Sequence, residues 1–221
     1  MEQTTTSERI LDAAEALFVE HGFTETSLRV ITRKADVNLA AVNYHFGSKT
    51  ALIQAVFARH FDPFAELFGA ALERLKADSP PSLDVLIDTL IHCALNTSSS
   101  HGDLRVFMKL LGMAYTRHQP NLREYLQDHY RPLFADFIDL VTQATPRLRR
   151  EDRFWRLHFL LGSIVFTLSS LDTLRGMHPG ETGHMPVRAL AGQVRPMVLA
   201  TLQAPSTDSA AISPFSQETS L

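Results

Sequence analysis

Residues 38–49 read NLAAVNYHFGSK, and this stretch decides how the chain is organised. Asn38 is a helix-capping residue, since its side-chain oxygen accepts from a free N–H of the first turn. Gly47 and Ser48 end that helix and cap the next. The helix between runs only from Leu39 to about His45. Two turns are too short to be stable alone, so neighbours must pin it. Leu39, Val42 and Phe46 fall on its inward face, and Ala40, Ala41, Asn43, Tyr44 and His45 on its outward face. The two alanines keep the helix start slim enough to approach base edges. Alanine methyls meet thymine methyls, and an asparagine reads adenine bidentately. Tyr44 and His45 can donate to phosphates. A short, pinned helix with this surface is the pattern of a recognition helix.

Towards the N-terminus two more helices supply the pinning. Thr5 followed at three residues by Glu8 is a capping-box pattern, and Ile10, Leu11, Ala14, Leu17 and Phe18 then recur at helical spacing. Gly22 is expected to stop this helix as a left-handed cap. Thr26 or Ser27 caps a second helix, whose inward face is Leu28, Ile31 and Ala35, and Asp36-Val37 makes a tight turn. Charge is segregated along this region. Residues 26–59 carry Arg29, Arg33, Lys34, Lys49 and Arg59 against Asp36, whereas residues 1–25 carry mainly acids. The chain has a net charge of -3, but a nucleic-acid footprint need only be basic locally. Lys49 opens the fourth helix, where a cation opposes the helix dipole. It makes sense there if a phosphate sits on that helix end. The candidate DNA contacts are Thr26, Ser27, Arg29, Arg33, Asn38, Ala40, Ala41, Asn43, Tyr44, His45 and Lys49.

The rest of the chain reads as helices throughout. The fourth helix continues to about Phe61, and Asp62-Pro63 restarts or kinks it. Asp78–Ser82 breaks the pattern. A fifth helix runs to about Thr97, "SSSHG" is a loop, and a sixth spans Asp103 to His118. A seventh starts at Pro120 and bends at Pro132. The eighth, Glu151 to Gly176, is apolar on two stripes, so it is buried on most sides. A ninth covers Pro186 to Leu202, and residues 204–221 read as a disordered tail. The fold class is all-α, with about nine helices: residues 1–47 form a helix-turn-helix DNA-binding domain, and residues 48–203 a helical ligand-binding and dimerisation domain. Trp155, Gly162, Phe166 and Ser169 on the eighth helix, with Leu190 and Val194 on the ninth, are the candidate dimer interface. The apolar sixth and seventh helices, rich in Phe, Leu and Met, can enclose a cavity. Candidate ligand contacts are Arg105, Phe107, Met108, Leu111, Phe134, His158 and Phe159, and His92 and Arg156 are further polar candidates.

Several classes are disfavoured. The ten histidines are scattered, with no His-Glu-x-x-His pair, and the single Cys93 reads as a small core residue. There is no phosphate loop or nucleophile elbow. His178 and His184 share one loop but lack a third metal partner. No catalytic residue, cofactor or metal is expected. No apolar run reaches the ~18 residues of a membrane span, and no signal peptide is seen, so a cytoplasmic protein without a membrane partner is expected.

The segments ERILDAAEALFVEHGF (8–23), TSLRVITRKADV (26–37) and NLAAVNYHFGSK (38–49) resemble the DNA-binding domain of TetR-type repressors. The resemblance implies that Tyr44, His45 and Lys49 contact the DNA backbone and that Ala40, Ala41 and Asn43 approach bases. It also implies a homodimer formed by the last two helices, on a double-stranded operator. Asp36 stands where the family usually has glycine, and Asn43 where an aromatic is common. Asp tolerates the left-handed conformation, so the turn should survive. VNLAAVNYHFGSKTALIQAVF (37–57), FMKLLGMAY (107–115) and FWRLHFLLG (154–162) resemble the PsrA-type, fatty-acid-responsive branch. That resemblance implies a long-chain fatty acid as ligand and lipid-metabolism operons as targets.

Overall fold

The computed structural model describes residues 5–77, 80–101, 103–116, 119–177 and 186–206. The chain begins on local signals. Thr5 and Glu8 make both bonds of a capping box: Thr5 N donates to Glu8 Oε2 at 2.7 Å and Glu8 N to Thr5 Oγ1 at 3.2 Å. They open α1 (Thr6–His21), whose Ile10, Ala14 and Phe18 are fully buried. Gly22 ends α1 at φ 86°, ψ 169°, a positive-φ stop but an extended one, not the left-handed cap expected. Ser27 caps α2 (Leu28–Ala35), and Asn38 caps α3 (Leu39–Phe46) through a 2.9 Å bond from Ala41 N to its Oδ1. Asp36 sits between them at φ 52°, ψ 52°, in the left-handed region anticipated for it. Ser48 then accepts from Ala51 N and starts α4 (Lys49–Ala77).

Helix α4 runs on without a break. The expected restart at Asp62-Pro63 does not occur; Pro63 lies inside one 29-residue helix. A proline there removes one intrahelical bond. Burial on both sides of it, by Val56 and Phe57 before and Phe68 and Leu72 after, holds the helix together.

The later chain is more broken than its periodicity implied. Helix α5 (Leu83–His101) extends into the segment read as a loop, as far as His101. Helix α6 (Leu104–Thr116) starts at Asp103, whose carboxylate accepts from Arg105 N at 2.9 Å. The seventh segment is two helices, α7 (Pro120–His129) and α8 (Arg131–Ala144), parted at Tyr130 because Pro132 takes the first turn of a new helix. The eighth is also two, α9 (Arg150–Ser169) and α10 (Leu171–Met177), with a 73° bend at Ser170. Helix α11 (Val187–Gln203) is the last. Eleven helices and no strands are found among the described residues, against about nine helices expected. Most of the tail, residues 207–221, and the His178/His184 loop lie outside the described residues. Ala204–Ser206 are tied down: Arg156 donates to the carbonyls of Ala204 and Pro205, and Ser206 Oγ accepts from Arg149 N. Among the described residues no single helix is long and apolar enough to cross a membrane.

One core cluster joins α1–α3 to the rest. It includes Phe18, Phe23, Ile31, Val42, Leu52, Val56 and Phe57, and continues into Phe107, Leu110 and Ala114 of α6 and Leu122 of α7. A second cluster, with Phe68, Leu72, Leu86, Cys93 and Leu140, lies farther along α4. Cys93 is buried, and burial pushes its thiol pKa up, as suits a core residue. Helices α6 and α9 pack closely: a Cβ added at Gly112 would lie 3.1 Å from Val165 Cγ1.

The left-handed Asp36 makes a direct test of the α2–α3 turn. Asp36→Val should lose about 1–2 kcal/mol, because a β-branched residue tolerates this conformation poorly, whereas Asp36→Gly should hold or gain stability. Urea denaturation of the two variants measures it.

Candidate nucleic-acid interface and ligand cavity

Helix α3 is presented by contacts made behind it. Val42 is fully buried, and Phe46 and Ala41 pack partly against the same core. Ala41 was expected on the outer face, but it is half-buried; Leu39, expected inside, is 43% exposed. The turn before α3 is held by Arg9, whose guanidinium donates to the carbonyls of Ala35 at 2.6 Å and Asp36 at 2.7 Å. This residue carried no sequence signal beyond being the one base in an acidic stretch. Asn38, Ala40, Asn43 and His45 are exposed, and Tyr44 is 85% exposed with its ring edge-on to His45. Ser27, Arg29 and Arg33 are exposed on or beside α2.

Two of the proposed contacts look different in place. Thr26 is buried, and its hydroxyl lies 2.8 Å from the Gly22 carbonyl and 3.2 Å from that of Leu17. It closes the α1–α2 loop and has no surface to offer DNA. Lys49 is half-buried, and its Nζ donates to the Thr24 carbonyl at 3.3 Å. Burial lowers its pKa, with Glu25 acting in the opposite direction.

An apolar cavity of about 260 Å³ lies among α4, α5, α6, α9 and α11. Phe107 and Met108, two of the sequence-based ligand candidates, line it. The other five ligand candidates do not. Arg105 is engaged by Asp103 and by Asp172. Leu111 packs on the main core, and Phe134 stands 42% exposed beside Phe61 and Tyr130. His158 bonds back to the Phe154 carbonyl, and Phe159 is 65% exposed, both on the outside of α9. Of the further polar candidates, His92 bonds Asn96, and Arg156 bonds the end of α11. Conversely, Leu190 and Val194, read as dimer residues, line the cavity from α11. His60, Phe61 and Phe64 of α4 also line the cavity and were not among the sequence-based ligand candidates. The wall is apolar apart from His60 and Thr97.

The outer face of α9 is aromatic. Trp155, Phe159 and Phe166 are each more than half exposed, with Gly162 and Ser169 on the same stripe. Trp155 stacks on Phe159. Gly162 and Gly192 of α11 both have open space where a Cβ would stand. Large contiguous apolar surfaces of this kind mark interaction sites.

A helix-turn-helix head followed by a helical, cavity-bearing part defines a class of regulatory protein. The family model for bacterial regulatory proteins of the tetR family matches residues 10–56, and that for the tetracyclin repressor-like C-terminal domain matches residues 88–201. The chain belongs to the TetR family. It is 31% identical over 148 residues to the repressor BepR of Brucella suis, covering 66% of this chain and 69% of BepR. It is 29% identical over 77 residues to the helix-turn-helix regulator YttP of Bacillus subtilis, covering 35% of this chain and 37% of that protein. Thus the chain spans well under two thirds of YttP. The structure of a TetR-like regulator from Rhodococcus sp. RHA1 shares the fold, with a TM-score of 0.61 at 20% identity over 91% of this chain and 98% of that one.

Proposed function

We propose that the chain is a transcription repressor that binds a pseudo-palindromic operator in double-stranded DNA as a homodimer and releases it when an apolar effector fills the cavity. One observation carries the reading: α4 is part of the cavity wall and part of the core on which the exposed recognition helix is mounted. Residues 1–47 are the DNA-binding part and 48–203 the effector and dimer part. Ala40 and Asn43 approach the bases of the major groove, with Ala41 behind them, and Tyr44 serves a phosphate. Ser27, Arg29, Arg33, Asn38 and His45 serve phosphates. Lys49 serves one too, exchanging its carbonyl partner for it. The aromatic face of α9, with the small-residue face of α11, supports the dimer. Two heads on a two-fold axis then read half-sites about one duplex turn apart.

The PsrA-type resemblance implies a long-chain fatty acid, and with it a lipid-metabolism regulon. The apolar wall supports an acyl chain. The carboxylate fares worse, because the cavity wall has no arginine or lysine among the described residues. An unpaired charge in an apolar site is costly. The lining therefore favours an uncharged apolar effector over a free fatty acid or an acyl-CoA. Whatever its identity, the effector must prefer the DNA-free conformation to shift the equilibrium.

A duplex selected by the protein from random sequences provides the assay. Release by uncharged apolar compounds and not by oleate below its micelle concentration supports this reading. Release by oleate alone restores the fatty acid, and release by neither overturns effector control. On the same duplex, Lys49→Ala should weaken binding to all sequences and reduce the salt slope by about 1.8, one phosphate contact being lost from each protomer, while Asn43→Ala should change sequence preference. Phe159→Glu should convert a dimer to a monomer at micromolar concentration in sedimentation; a wild-type monomer under those conditions would remove the dimer from the proposal.

A further inference from the structure

His60 is the one titratable side chain in the cavity wall among the described residues. Its side chain is 5% exposed, and its Nε2 lies 2.8 Å from Oε2 of Glu15 on α1. Burial pushes the Glu15 carboxyl up, but the hydrogen bond from His60 and the charge of Arg59 help to outweigh it and hold it below its ordinary value. Glu15 is therefore a carboxylate at neutral pH, and a carboxylate only accepts. Nε2 of His60 is thus the donor of this bond, and in a singly protonated ring Nδ1 is a lone-pair acceptor. Nδ1 makes no hydrogen bond among the described residues. The other polar group of the wall has its donor committed: Thr97 Oγ1 donates to the Cys93 carbonyl at 2.7 Å, so His60→Phe is the variant that separates the two acceptors.

The surroundings of His60 tie the cavity to the head. Arg59 donates to Asp12 on α1 at 2.6 Å, next to the His60–Glu15 bond. On the other side, Phe61 lines the cavity and Asp62 accepts from Tyr130 at the α7–α8 junction at 2.6 Å. Four consecutive residues of α4 thus touch the head, the cavity and the α7–α8 corner.

We propose that the cavity takes an uncharged apolar molecule bearing one hydroxyl-type donor, that the hydroxyl donates to His60 Nδ1, and that the same imidazole carries occupancy to α1 through Glu15. The inference rests on the effector-controlled reading above. An alcohol or phenol meets the lone pair directly. A carboxylate would instead need a doubly protonated His60 shared between two anions, with no other cation in the wall.

Naphthalene, 1-naphthol and 1-naphthoate are suitable probes, with the full-length chain and calorimetric or fluorescence titration. Wild type should bind 1-naphthol about fivefold more tightly than naphthalene, the yield of one buried hydrogen bond. It should bind 1-naphthoate no better than naphthalene. His60→Phe should keep naphthalene binding and lose the preference for 1-naphthol. Glu15→Gln should still bind 1-naphthol, yet saturating 1-naphthol should release the selected duplex less completely than from wild type. Equal wild-type affinities for naphthalene and 1-naphthol, or a preference that survives in His60→Phe, overturn the assignment of His60. Unchanged release in Glu15→Gln overturns the coupling. If uncharged compounds release the duplex while 1-naphthol and naphthalene bind equally, this inference fails and the repressor reading stands. If wild type selects no duplex, the repressor reading fails, and the naphthol preference still decides the ligand.

Discussion

Helix α4 has to satisfy two sets of neighbours at once. Its first half gives Leu52, Val56 and Phe57 to the core that mounts α1, α2 and α3, and its second half gives Phe68 and Leu72 to the core under α5 and α8. Between the two halves lie His60 and Phe61, at the cavity, and Pro63 just after them. The proline weakens the hydrogen-bond ladder at that point without breaking the helix. A rigid rod with a soft place beside a cavity can move its two ends relative to each other. Interiors are close-packed, so a displaced wall is passed on to whatever packs behind it. Here that is α1, through His60–Glu15 and Arg59–Asp12.

The head itself is a small assembly of caps. Thr5, Ser27, Asn38 and Ser48 each accept from a backbone N–H of the helix they precede. Arg9 fastens the α2–α3 turn to α1 with two charge-assisted bonds to carbonyls, and buried Thr26 closes the loop before α2. These polar links matter because α2 and α3 are eight residues each, too short to persist on helix propensity. The outer face of α3 is left free of structural duty, and its composition is decided by what it meets.

The two apolar faces of α9 show how far periodicity reaches. Leu161 and Leu168 turn inward to the cavity, while Trp155, Phe159 and Phe166 turn outward. The inside/outside division of that helix was readable. What was not readable is that Phe159 stands outside the cavity and that Leu190 and Val194 line it. Each of these residues lies on an apolar stripe, and a helix does not encode what, if anything, packs against which stripe. The same reason hid His60. Its partner Glu15 is 45 residues away, and only the docking of α1 on α4 brings them together.

The sequence by itself determined the all-helical class, the three-helix head, its caps, the left-handed Asp36 and the exposed polar face of α3, because caps, turns and short periodic runs are fixed by residues within a few positions of one another. Tertiary structure decided the rest. It turned two expected long helices into α7–α8 and α9–α10, carried α4 through its proline, turned Thr26 inward, and gathered the cavity from five helices. Those outcomes depend on which apolar stripes bury each other, an energy spread over contacts distant in the chain, and no local pattern records it.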